Sequence, residues 1–95
     1  MNKVFLFVEI DVKPGMRDDF LVEISKHGAH IRTEDGCEVL NIFLDTDSTD
    51  RVCVWEIWSD RHSWDLHMAN EASRAWQKIA INYVVTEKII AMDSI

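Results

Sequence analysis

Two cysteines, Cys37 and Cys53, are too few for a disulfide framework and lack the spacing of a metal site. The chain has three glycines and no glycine-rich loop, so nothing cradles a phosphate; a Gly-x-Ser-x-Gly elbow is also missing. Nucleotide binding and covalent catalysis therefore lack their residues. Positive charge is equally scarce: 10 Lys and Arg stand against 17 Asp and Glu, a net charge of −7, with no basic run. Nucleic acids and anionic membrane surfaces both require a positive face, so neither is expected as a partner. No stretch approaches the ~18 uninterrupted apolar residues of a membrane span. The N-terminal "MNKVFLFVEIDVKPG" is interrupted by Glu9 and Asp11 and lacks a small-residue cleavage site, so it does not read as a signal peptide. A cytoplasmic location is expected.

What the chain does have is apolar material, 47 % of its 95 residues, and four tryptophans. Three of these tryptophans, with two of the four histidines, fall in "WEIWSDRHSWDLHMAN", Trp55 to Asn70. Residues 1–95 read as a single domain. A domain of this size buries only about 60–65 % of its unfolded surface, and apolar surface left over usually finds a partner chain.

The pattern along the chain changes period several times. Val4, Leu6, Val8, Ile10 and Val12 alternate as one face of a strand that "KPG" stops. Phe20, Ile24, His27 and Ile31 then form one stripe of a helix closed by "EDG" at Glu34 to Gly36. Cys37–Leu44 and Arg51–Trp58 read as two strands of a hairpin around "DTDSTD". If this hairpin is symmetric about its six-residue loop, Cys53 faces Ile42 and Cys37 faces Trp58. Ser59 suits the N-cap of the next helix, Asp60 its positive end, and Asn70 the cap of a further segment to about Ala80. The β-branched tail makes a fourth strand.

The order β-α-β-β-α-β is that of the ferredoxin-like plait: an α+β fold with a four-stranded antiparallel sheet and helices on one face. The uncovered face carries apolar residues too, which predicts a homodimer packed sheet to sheet.

The segments "VKPGMRDDF", "EDGCEVLNIFLD", "RVCVWEIWSDRHSWDLHMAN" and "VTEKIIAMDSI" resemble the antibiotic biosynthesis monooxygenase family, small dimeric α+β-barrel proteins. The most specific part is Glu56-x-Trp58 followed by His67. The resemblance implies a cofactor-independent monooxygenase on a small aromatic, quinol or polyketide-like substrate. Other family chemistry, proton-transfer isomerisation, remains an alternative, as does a plait that binds a ligand without turning it over. Aligned to the family's anthrone-oxidising members, Trp58 matches a pocket Trp, Trp64 replaces a Tyr, Lys78 replaces an Arg, and Val54 replaces an Asn. The haem-degrading members place an axial His where Gln77 stands and an Asn where Val8 stands, so no haem, and no other cofactor, is expected.

The residues leave structural and functional readings side by side. Trp58 is core or pocket wall. His67 and His27 are structural histidines or bases poised near neutral pH. Glu56 is a general base or the carboxylate of a salt bridge. His27 and His30 have the spacing of two metal ligands but no third ligand at matching spacing, so no metal is expected. Trp58, Trp64 and His67 are expected to border one cavity, with Lys78 and Glu56 near the substrate and Val54 on its wall.

Overall fold

A computed structural model describes residues 2–95. The elements run β1 (Val4–Val12), α1 (Arg17–Ile31), β2 (Cys37–Leu44), β3 (Arg51–Trp58), α2 (Arg61–Ala69), α3 (Glu71–Ala80) and β4 (Val84–Met92). The four strands form one antiparallel sheet in the order β2-β3-β1-β4. The plait is thus observed, with the second helical segment divided at Asn70 as the sequence suggests.

Period-two alternation decides which side of the sheet carries the core. On β1, Leu6, Val8, Ile10 and Val12 are buried; on β3, Val52, Val54, Glu56 and Trp58 are. The register pairs Leu6 with Glu56, Val8 with Val54 and Ile10 with Val52, so the two sets share one face. Onto it α1 presses Phe20, Ile24, Gly28 and Ile31. Gly28 makes the close approach possible: a Cβ there would meet Leu40 and Ile42 at 3.1 Å. Phe20 and Trp58 are sealed completely, and truncating either to Ala would cost about 3–5 kcal/mol.

Two local expectations are corrected. The N-cap of α2 is Asp60, whose carboxylate accepts from the Ser63 backbone N–H at 2.8 Å. Ser59, one residue beyond β3, instead donates its hydroxyl to Glu38 at 2.9 Å and its backbone N–H to the Gly36 carbonyl at 2.8 Å. The β2–β3 hairpin is offset by one residue, so Cys53 faces Phe43 rather than Ile42. An irregularity between Cys37 and Val39 restores Cys37 opposite Trp58, and both thiols are free.

β4 pairs only with β1. Val85 and Ile89 on it are exposed. Among the described residues no helix is long and apolar enough to cross a membrane.

Candidate functional site

α1 and α3 do not close fully over the sheet. On α3, Ser73, Trp76, Gln77 and Ala80 fall at i, i+3, i+4 and i+7, a stripe facing the stripe of α1. Between these helices and the sheet lies a cavity of about 350 Å³. Its walls are mostly apolar, with Val8, Ile10 and Val54 from the sheet and Ile24 and Ile31 from α1. Its polar lining consists of His27, Glu56, His67, Ser73, Gln77 and Glu87, with no Lys or Arg.

His27 stacks face to face on Trp76, centroids 4.6 Å apart and planes 6° from parallel. Burial, seconded by the neighbouring His67, lowers its pKa to about 4. It is therefore a neutral imidazole at physiological pH, able both to donate and to accept.

His67 is 8 % exposed and stacks on Trp58 with centroids 4.7 Å apart. Its Nδ1 lies 2.8 Å from Glu34 Oε1, and Asn70 Nδ2 donates to that same oxygen at 2.9 Å. The Ser73 hydroxyl donates to the His67 carbonyl at 2.6 Å, which ties the end of α2 to α3.

Glu56 makes no salt bridge, contrary to one reading of the sequence. Its Oε1 accepts from Trp58 Nε1–H at 2.9 Å, and burial pushes the carboxyl above the usual carboxylate range. Glu87 is pushed the same way by burial and by the nearby Glu56 charge. Among the described residues, the only sealed side-chain polar atom without a hydrogen bond is Glu34 Oε2. Among the described residues, His67 Nε2 and Glu56 Oε2 have no hydrogen-bond partner either and are not among the sealed atoms, and both residues line the cavity.

Of the residues singled out from the sequence, the cavity collects His27, Val54, Glu56 and His67. It does not collect Trp58, Trp64 or Lys78. Trp58 is 0 % exposed and lies behind the His67 ring. Trp64 shares a helix side with His67 but lies nearly a turn earlier, beyond the end of β3. There it packs in a smaller recess with Val4 and Met92, under the Arg61 guanidinium 4.6 Å from its ring. Lys78 follows Gln77 by one residue, a 100° rotation that carries it off the inward stripe to an exposed position. His30 is exposed and 3.8 Å from Glu34 Oε2.

Four residues of the site escaped the sequence reading: Glu34, Ser73, Trp76 and Glu87. A signal existed for Glu34, since the stripe Phe20, Ile24, His27, Ile31 extended by three more residues lands on it. Trp76 was signalled by the stripe of α3. Nothing local marked Glu87, whose place depends on how β4 pairs with β1.

A small plait with a mostly apolar cavity, lined by a few polar side chains, between sheet and helices defines the class of molecule. The sequence profile of the antibiotic biosynthesis monooxygenase family matches residues 4–79, and the chain belongs to that family. The fold is shared with PA3566 from Pseudomonas aeruginosa: TM-score 0.92 at 19 % identity, covering 100 % of this chain and 96 % of that one. It is shared with SO0527 from Shewanella oneidensis: TM-score 0.90 at 17 % identity, covering 98 % and 91 %. It is shared also with a crystallised antibiotic biosynthesis monooxygenase: TM-score 0.88 at 20 % identity, covering 97 % and 98 %. At these identities the likeness concerns the fold. No match was found among curated proteins.

Proposed function

We propose that this chain is a cofactor-independent monooxygenase acting on a small, neutral, hydroxylated aromatic or quinol-like molecule. The observation that carries the reading is His67, whose Nε2 has no hydrogen-bond partner among the described residues, on the lining of a cavity with mostly apolar walls. Such walls suit a flat aromatic body. The missing Lys and Arg disfavour a ligand that arrives as an anion.

In this reading His67 takes a proton from an activated C–H or O–H of the substrate. The anion formed reduces O₂; one oxygen atom enters the product and the other leaves as water (CH₂ + O₂ → C=O + H₂O). Val54 offers no donor to the developing anion. One other group does: the imidazolium just formed on His67. Glu56 lines the same cavity with its carboxyl pushed above the usual carboxylate range by burial, and only its protonated form would add a second donor.

Oxygen uptake against a panel of hydroquinones and anthrones, without added flavin, haem or metal, tests the reading. One mole of O₂ consumed per mole of product supports it.

A second reading has its own observation. Val54 stands where a donor would hold the anion, and Lys78 lies outside the cavity. Ligand binding in the cavity without oxygen uptake makes the protein a binding module.

A further inference from the structure

We propose that Glu34 is a positioning residue that holds His67 as the Nδ1–H tautomer, so that Nε2 presents its lone pair to the cavity. The inference rests on the cavity being the functional site, and it assigns a role to a residue of the turn after α1.

The donor and acceptor roles are set by Asn70. Its Oδ1 accepts from the Ser73 backbone N–H at 2.8 Å, the cap of α3. That bond fixes the amide orientation, so Nδ2 is the group that meets Glu34 Oε1, at 2.9 Å. Oε1 is therefore an acceptor, and the second group 2.8 Å from it, His67 Nδ1, must be a donor. A neutral imidazole with a protonated Nδ1 has a bare Nε2. The ring is kept in this attitude by its stack on Trp58, and the His67 carbonyl by the Ser73 hydroxyl.

The arrangement also provides for charge. When Nε2 accepts a proton, the imidazolium already faces a carboxylate that is itself largely buried, with a side-chain exposure of 14 %. A tether between the α1–β2 corner and α2 would need only a hydrogen bond at Nδ1. An imidazolium, protonated on both nitrogens, would serve that purpose equally well and would leave nothing to accept a proton.

Long-range ¹H–¹⁵N spectra of the histidine rings decide the matter, in the free protein at pH 7.5. The expected result is a neutral His67 ring with protonated Nδ1 and bare Nε2. The opposite tautomer, or protonation of both nitrogens at that pH, overturns the proposal. In Glu34→Leu the Nδ1–H form should lose its dominance, whereas Glu34→Gln, whose side-chain carbonyl still accepts, should retain it. An unchanged tautomer in the leucine variant also overturns the proposal; should that variant not fold, the wild-type spectrum decides alone. Because no substrate is present, a failure here is separate from a failure to consume oxygen.

Discussion

His67 contacts a turn, a strand and a cavity at once, through Glu34, Trp58 and its free Nε2. Removing a general base usually lowers rate by about 10²–10⁴. His67→Gln is therefore expected to cut kcat by that order in the oxygen-uptake assay while KM changes little. A KM that rises with an unchanged kcat would make His67 a binding group only. His27 makes a different prediction, on stability. Its folded pKa of about 4 lies below the ordinary histidine value of 6.5, so between those values the unfolded chain binds the extra proton. Its contribution is complete above about pH 6.5 and is lost as pH falls toward 4. Urea midpoints of the wild type should drop across that window relative to those of His27→Gln. Parallel curves for the two proteins would show that His27 titrates alike folded and unfolded.

Two junctions between elements hold the site together. Gly36, in the turn between α1 and β2, has φ +87°, and a Cβ there would overlap Ser63 at the start of α2. Gly36→Ala is expected to destabilise by about 2 kcal/mol or more, since left-handed strain alone costs roughly 1–3 kcal/mol. The shift in urea midpoint measures it, and an unchanged midpoint would mean that the turn relaxes freely. Asn70 ends α2, caps α3 and donates to Glu34. Asn70→Ala should cost about 1 kcal/mol for the cap. Asn70→Asp should retain the cap yet set a second carboxylate against Glu34, so it should recover little of the loss. Full recovery by Asp would show that the bond to Glu34 adds nothing to stability.

At the scale of the whole molecule, the helices cover only one face of the sheet. The other presents Phe5 and Phe7 of β1 beside Trp55 and Ile57 of β3, with Ile90 of β4 across from Phe7. Phe5 and Trp55 already lie ring to ring, 6.2 Å between centroids. An apolar row of this kind is suited to a second copy packed sheet to sheet. Light scattering at micromolar concentration is expected to report a dimer, and Trp55→Glu a monomer. A wild-type monomer under those conditions would exclude this use of the face.

The sequence by itself determined the plait. β1 was legible from its alternation, β2 and β3 from the polar loop between them, β4 from its β-branched residues and α1 from its stripe, because these signals are local and need no knowledge of neighbours. His27, Glu56 and Val54 were legible as inward-facing for the same reason. Only the tertiary structure decided which inward-facing residues border empty space. Trp58 and His67 were both assigned to the cavity, but their rings stack, so one covers the other. Trp64 fell outside because α2 begins past the end of β3, an offset that helical spacing does not encode. Glu34, in a turn, joined the site through residues 33 and 36 positions away in the chain. Contacts of that separation depend on how α1, α2 and α3 pack on the sheet, and no local pattern records that packing.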